Sequence, residues 1–494
     1  MMDLKFENRD VKLSKSIKKN RELFKDLLGI GVSFDVDYRT INVLDTDVDV
    51  YFVTGLNDKS HVNMVLKELL ELNEVEHFNR SKRKVHEIVE NRIVNYQVEE
   101  MDVAYDAVTN ILSGLIVIVV DGCTKAFAVD VRSYPDRSPS EPDTEKVVRG
   151  SRDGYTENII INTGLTRRRV RDDNLRYELI RIGERSRTDV VIAYIKDVAD
   201  PGLVQTVRGN IKDINVDGLA MSEKSLEEFI VEQKFNPFPL VRYTERPDVA
   251  SAHLFEGHVL IMVDTSPSVI ITPTTYFHHV QHAEEFRQSP TVGTFVRWIR
   301  FLGIMFSIFL LPMWLLFVMQ PELLPKELAF IGPNEEGNIP IFIQIILADI
   351  GVEFMRVAAI HTPTAVSTAM GLIAAVLIGE IAIQVGLFGP EIILYVALSA
   401  MGTYSTPSYE LSVANKITRI LLVIATAFFG VKGLVIGFTV YILLLVRTIS
   451  LNTPYFWPVI PFNARALYHI LFRLAVPLHK TRPSIVHPQD DKRR

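Results

Sequence analysis

IPIFIQIILADIGVEFMRVAAIHTP, residues 339–363, opens an apolar run that continues as TAVSTAMGLIAAVLIGEIAIQVGLFGPEIILYVALSAMG (364–402) and closes with ILLVIATAFFGVKGLVIGFTVYILLLV (420–446). A helix needs roughly 20 mostly apolar residues to cross a bilayer, and this run holds several such lengths. Its few ionisable residues are informative. Asp349, Glu353 and Arg356 stand four and three positions apart, so they share one helix face opposite Ile, Val and Phe. Glu380, with Gln384 one turn later, sits inside a second apolar length. An ionisable group at membrane depth is costly, so it faces a bundle interior or a water-filled path. Asp349, Glu353, Arg356, Glu380 and Gln384 are therefore the candidate pore or gate residues. The competing reading makes the first three a surface stripe with Arg356 reaching headgroups, and makes Glu380 a carboxyl that ties helices together.

Working outward, RWIR (297–300) precedes FLGIMFSIFLLPMWLLFVMQ (301–320), a clear span with basic residues on its incoming side. Lys and Arg favour the cytoplasmic flank, which places the preceding part inside. Residues 341–360 read as a span or as a helix lining a cavity. Residues 364–388, rich in Ala, Gly, Ser and Thr, read as a span whose small residues allow close helix approach. Residues 391–402 are short for a crossing and suit a re-entrant segment. Residues 417–446 are broken at Gly430–Gly433, which predicts a tight hairpin with Lys416, Arg419 and Arg447 on the cytoplasmic side. Four to six crossings are expected over 297–450, an even number in total. A basic tail, 451–494, is then cytoplasmic.

The first 296 residues have a different character, charged and mixed. Over the whole chain 53 Lys and Arg stand against 59 Asp and Glu, a net charge of -6 that argues against nucleic acid as a partner. The single cysteine, Cys123, forms no internal disulfide. The opening MMDLKFENRDVKLSKSIKKN has no apolar signal-peptide core, so this part is expected to stay in the cytoplasm.

A polar lead-in, 1–29, carries a short amphipathic helix. RTINVLDTD and DVDVYFVTGLND alternate like strands, HVNMVLKELLEL has helical period, and a charged, helix-prone run follows. GLIVIVVDGCTKAFAVDVRSY (114–134) reads as strand, turn at Asp121-Gly122, and strand. PDRSPSEPDTEKVV suits a linker, 136–145. The next block repeats the first: TDVVIAYIKDVAD echoes DVDVYFVTGLND, and GHVLIMVDTSPSVIITPTTYF (257–277) parallels 114–134, with Gly257 at the place of Gly114 and Asp264 at that of Asp121. The expected architecture is multi-domain: two tandem α/β cytoplasmic subdomains, 30–135 and 146–290, followed by an α-helical polytopic membrane domain.

Motifs of catalysis are missing. There is no GxxxxGK[ST], no GxGxxG opening a helix, no GxSxG, no HExxH and no zinc-type cysteine pair, so neither enzyme nor cofactor is expected. His278, His279 and His282 include an i, i+4 pair of metal-binding spacing, but no third ligand is near, and a solvated helix just before the membrane is the preferred reading. TRRRVRDDNLR (166–176) suits anionic headgroups, or, because Asp172, Asp173 and Glu178 interleave with it, a salt-bridged or subunit-contact face.

Several passages together resemble the A-subunit family of bacterial spore germinant receptors, the GerA type: VVRGSRDGYTENIIINTGLTRRRVRDDNL, YIKDVADPGLVQTVRGNIKDINVDGL, LFEGHVLIMVDTSPSVIITPTTYF, VRWIRFLGIMFSIFLLP and VEFMR. They run in order over about residues 30 to 465. The resemblance implies a multi-pass protein of the endospore inner membrane, with its N-terminal region facing the spore core. It also implies ring-like homo-oligomers, a pentamer among them, whose helices surround an ion path used in germination, and partners among other spore germination membrane proteins, a small membrane protein included. Where receptor subunits carry an FELLREAGVRLP-like segment, this chain has VEFMRVAAIHTP: Glu353 and Arg356 are kept, Val357 replaces a glutamate and His361 an arginine. That departure favours a sporulation paralogue that supports ion flow without recognising a germinant. The leading expectation is an oligomeric ion channel subunit; the alternative is a non-conducting scaffold that stabilises other germination proteins.

Overall fold

The computed structural model describes residues 11–71, 73, 98–133, 145–333, 339–361, 371–373, 376–478 and 480–493. The charged run after residue 73 and all of the expected linker but Glu145 lie outside them. The chain divides into two units, one of residues up to Glu232 with Val241–Pro273 and the carboxyl-terminal segment, the other of Gln233–Leu240 and Thr274–Leu478.

The first unit holds two five-stranded sheets of one topology. In the first, α1 (Ile17–Leu28) precedes β1 (Val36–Val43) and β2 (Thr46–Val53); α2 (Lys59–Glu71), β3 (Val98–Met101), α3 (Ala104–Leu112), β4 (Ile116–Val120) and β5 (Ala126–Val129) follow, and the strand order is β1-β2-β4-β5-β3. Leu44 and Asp45 both adopt positive φ, the primed-turn geometry that matches strand twist, so β1 and β2 close as a hairpin with Val43 opposite Thr46. The unbroken IVIVV of β4 is buried on both faces, as a covered central strand should be. Val117 and Val119 join Ile17, Phe24, Ala107 and Ile111 in one core, while Ile116, Ile118 and Val120 join Val65, Leu66 and Leu69 in the other. Helix α1 therefore belongs to the first core, which begins before the boundary expected at residue 30.

The second sheet repeats the plan. Helix α4 (Ile159–Arg169) precedes β6 (Leu175–Ile182) and β7 (Thr188–Ile195); α5 (Pro201–Lys212), α6 (Ser222–Ile230), β8 (Arg242–Thr244), α7 (Pro247–Glu256), β9 (Val259–Val263) and β10 (Val269–Thr272) follow, in the order β6-β7-β9-β10-β8. Equivalent side chains do equivalent work. Asp121 accepts from the Ile17 amide at 3.1 Å, and Asp264 from the Ile159 amide at 3.1 Å, each at the electropositive start of a helix. The two halves join through a buried pair, Arg167 Nε donating to Asp35 Oδ2 at 3.0 Å, and through Phe34 N to the Tyr177 carbonyl at 3.0 Å.

The expected tail is split. Residues 480–493 belong to the first unit, where Ile485 and Val486 are buried and the Gln489 amide donates to the Val198 carbonyl at 2.9 Å. Those two apolar side chains need cover that a free basic tail lacks.

The second unit is helical: α8 (Pro290–Met319), α9 (Ile341–His361), α10 (Pro390–Tyr404), α11 (Tyr409–Arg447) and α12 (Ala464–Leu471). Among the described residues α8 and α11 are long and apolar enough to cross a membrane. Helix α11 is two arms. Gly430 leaves helical geometry at φ 55, ψ -135, and a Cβ placed on Gly437 would lie 2.7 Å from Leu422. Fifteen residues of straight helix would span roughly 22 Å, so the chain reverses at Gly430, where the break in the sequence predicts a hairpin. Of the span expected at 364–388, residues 364–370 and 374–375 lie outside the described ones; Leu377–Ile381 is a π-helical turn and the segment closes at Gly386 with φ 73. The segment expected at 391–402 is the helix α10, about 22 Å long, less than a hydrocarbon thickness.

Candidate functional site

Glycine sets the spacing of this bundle. A Cβ on Gly402 of α10 would meet the Gly303 carbonyl of α8 at 2.1 Å, so the two helices touch backbone to backbone. Trp314 against Tyr395, 4.8 Å between ring centres, shows that α10 runs antiparallel to α8. The first arm of α11 runs alongside α8 in the same sense, with Arg419 at Ser307 and Gly430 at Gln320. Helix α9 lies antiparallel to that arm: Phe342 pairs with Phe428, Asp349 with Arg419, Glu353 with Lys416 and Arg356 with Ser412.

These pairings form one network. Arg419 Nη2 donates to Asp349 Oδ1 at 2.6 Å and Nε to Oδ2 at 3.1 Å. Its remaining nitrogen, Nη1, reaches the Ser307 carbonyl at 2.7 Å, Ser399 Oγ at 2.6 Å and Thr403 Oγ1 at 3.1 Å. Lys416 Nζ donates to the Asp349 carbonyl at 3.1 Å and to Glu353 Oε2 at 2.7 Å. Arg356 Nε donates to Glu353 Oε1 at 3.0 Å, and its guanidinium lies 4.8 Å from the centre of the Tyr409 ring. Three cations thus face two carboxylates. Ten residues of helix separate Tyr409 from Arg419, about 15 Å along the axis, so the innermost pair lies well inside the helix, next to the apolar run that begins at Ile420. Burial there leaves the charges no water to turn to, and only their mutual bonds offset the desolvation. Asp349 and Arg419 expose 3% and 1% of their side chains, whereas Glu353 exposes 28%. The network therefore grades from a sealed core at Asp349 to an accessible edge at Glu353.

The structure brings Asp349, Glu353 and Arg356 together and leaves the other two candidates outside. Glu380, on the π-helical turn, and Gln384 are exposed, and neither makes a hydrogen bond or ion pair with a described residue. Lys416 and Arg419 are the partners that sequence reasoning did not foresee. It expects them on the cytoplasmic side, and the structure adds that both are buried, at 6% and 1% exposure. Their three-residue spacing puts both on one helix face, as the four-residue spacing does for the acidic pair on α9, and this was the signal available. Ser399 and Thr403, one turn apart on α10, complete the cage and carry no signal of their own.

His278 and His282 do not share one helix face, and His278 and His279 are buried instead of solvated. Tyr276–His279 is one 3-10 turn, in which buried His278 accepts from the Thr275 amide at 3.1 Å, while His282 caps the short helix Ala283–Arg287. Among the described residues no group of three or more His, Cys, Asp or Glu is placed to hold a metal ion. The basic run 166–176 is largely committed: Arg167 to Asp35, and Arg169 to Asp153 at 2.6 Å.

Comparison with known proteins follows the same lines. The family model described as Bacillus/Clostridium GerA spore germination protein matches residues 22–485. The chain is 57% identical to Stage V sporulation protein AF of Bacillus subtilis (strain 168) over 97% of both chains. It is 30% identical to Spore germination protein XA of Bacillus anthracis over 78% of both. The crystal structure of the N-terminal domain of the A subunit of the Bacillus megaterium spore germinant receptor GerK3 aligns with 54% of this chain and 98% of its own, at 25% identity and a TM-score of 0.43.

Proposed function

The chain belongs to the Bacillus/Clostridium GerA spore germination protein family, with the role in germination that membership carries, and from that premise we propose that it is an oligomeric ion channel subunit of the endospore inner membrane. The observation that carries the reading is Glu353, 28% exposed at the edge of a charged network held between the helices of the bundle. Such a carboxylate, held by Lys416 and Arg356, presents fixed charge where a permeating ion would shed water. Exposed Glu380 on its π-helical turn is the second lining candidate, since such turns recur at functional sites.

Six crossings suit this reading. Helices α9 and α10 run in the same sense, opposite to α8 and the first arm of α11. The proposed count adds to these four the second arm of α11 and the span read from the sequence at 364–388. Helix α10, about 22 Å long, crosses where the bilayer thins to meet it. An even number also suits a chain whose helical unit is entered from, and left towards, the α/β unit. Both α/β subdomains then face the spore core.

The test is ion flux from liposomes holding the purified protein, wild type beside Glu353→Ala and Glu380→Ala. A change in rate or selectivity with either substitution supports a conducting path. A correctly assembled oligomer with no flux, or one indifferent to both substitutions, overturns it. The scaffold reading draws on Asp349 and Arg419, whose complete burial is what a purely structural tie would show. It predicts assembly with a different membrane protein instead of a homo-oligomer when native size is measured after mild solubilisation.

A further inference from the structure

One end of the helical unit carries exposed aromatic and basic side chains that the ion-path reading does not use. The second arm of α11 runs back along α8, with Phe309 of α8 between Phe438 and Tyr441, ring centres 5.4 and 6.3 Å away. Arg447, the last residue of that arm, is thereby returned to the end where α8 begins. Two other segments are fixed at this end. Asn236 Nδ2 donates to Thr448 Oγ1 at 2.9 Å, which seats the loop bearing Phe235 beside Arg447. Trp298 Nε1 donates to the Leu471 carbonyl at 2.9 Å, and Arg297 Nη1 to the Ile470 carbonyl at 2.8 Å, which lays α12 against the first turns of α8.

The side chains left over are of two kinds. Phe235 is fully exposed and Phe462, just ahead of α12, is 72% exposed, although water disfavours both. Arg447 and Arg465 are exposed, and neither makes a hydrogen bond or ion pair with a described residue. Exposed phenylalanines beside basic residues enter the headgroup–acyl boundary of a bilayer, and guanidinium groups match phosphate oxygens two at a time. Together they fit a ligand with an acyl part and an anionic head. Water, or a neutral protein surface, answers only one half of that pattern.

We propose that this end of the helical unit is a collar that binds anionic phospholipids, Phe235 and Phe462 entering the interfacial layer and Arg447 and Arg465 holding headgroup phosphates. The collar rests on the membrane placement given above, and not on conduction. It fixes the depth of the bundle and couples its stability to the anionic lipid content of the leaflet.

The experiment titrates phosphatidylglycerol or phosphatidylcholine into the full-length protein in mild detergent, counting retained lipids by native mass spectrometry and following Tm. Phosphatidylglycerol is expected to be retained and to raise Tm more than phosphatidylcholine, with retention falling about fivefold for each arginine removed in Arg447→Gln and Arg465→Gln. Rising salt should release it from the wild type, since charge holds it. Equal retention of both lipids, retention indifferent to salt, or an unchanged double variant overturns the collar. So does full competition by inorganic phosphate, which would mark a free-anion site. If neither lipid is retained or stabilises, the membrane placement itself fails. Should the glutamine variant not run as the native particle, Arg447→Lys with Arg465→Lys is compared instead, and must keep salt-sensitive retention.

Discussion

Arg419 clasps Asp349 through two parallel bonds, and both side chains are sealed from solvent between four helices. Fork-to-carboxylate geometry is the strongest form of this contact, yet the pair as a whole gains little, because two charges had to be desolvated. What it enforces is completeness. Asp349→Ala is expected to cost about 3–5 kcal/mol by leaving Arg419 charged and unpaired, whereas Asp349→Leu with Arg419→Leu should recover most of that loss. Thermal unfolding in detergent of the single and double variants measures both. A double variant no better than the singles would mean that Ser307, Ser399 and Thr403 depend on Arg419 as much as Asp349 does.

The contact of α8 with α10 has no slack. Because the Gly303 carbonyl occupies the space of any Cβ at Gly402, Gly402→Leu must push the helices apart. Overpacking of this kind costs about 1–3 kcal/mol, and more where backbone has to yield. Separation would also draw Ser399 and Thr403 off Arg419, so the stability loss should exceed that of Gly371→Leu, where an added Cβ meets no described residue within 4 Å. Parallel thermal scans of the two variants decide the matter.

Much of this was legible in the chain itself. The repeat showed because strands of one sheet topology demand the same punctuation: Gly114 and Gly257 both take positive φ, and Asp121 and Asp264 both cap a helix start. The Gly430 reversal showed because an apolar run too long for one crossing was interrupted by residues that helices tolerate poorly. The partners of Asp349 and Glu353 stayed hidden for an equally physical reason. A cation near a helix end is ordinarily read as a flank marker, and only the antiparallel register of α9 on α11 turns Lys416 and Arg419 inward. Helix α1 was misjudged as a lead-in because Lys18, Lys19 and Arg21 dominate its composition, while its core contribution rests on Ile17, Phe24 and Leu28.

Acid should loosen the second α/β half. His253 and His258 stack edge to face, 5.0 Å apart, and are buried near Arg242. Burial, with Arg242 adding to it, pushes His258 down to about 4, and His253 is also held well below its usual range. Above pH 6.5 both rings are neutral folded or unfolded, and nothing is lost. As pH falls from 6.5 towards 4 the unfolded chain takes up protons that the folded one refuses, so stability drops, on the order of 3 kcal/mol for His258 alone. Below about 4 this loss levels off. Tm against pH, wild type beside His258→Gln, should diverge only within that window.

Asn20 and Asn162 make the sharpest test of the repeat. Each buried carboxamide accepts from the amide six residues earlier, Ser14 and Thr156, at 2.7 Å, and donates back to that residue's carbonyl at 2.7 and 2.6 Å. One side chain thus satisfies both backbone groups of the residue that leads into the helix. Alanine at either site leaves a buried donor and acceptor unmet, which costs about 1–3 kcal/mol. The two costs should be alike if the halves are equivalent, and hydrogen exchange should locate the loss in α1 for Asn20→Ala and in α4 for Asn162→Ala. The substitutions lie in different halves, each satisfying its own loop, so their effects should add to within a few tenths of a kcal/mol. A silent Asn20→Ala would return residues 14–28 to the status of a lead-in, because the fold described here makes that asparagine the clasp of its first helix.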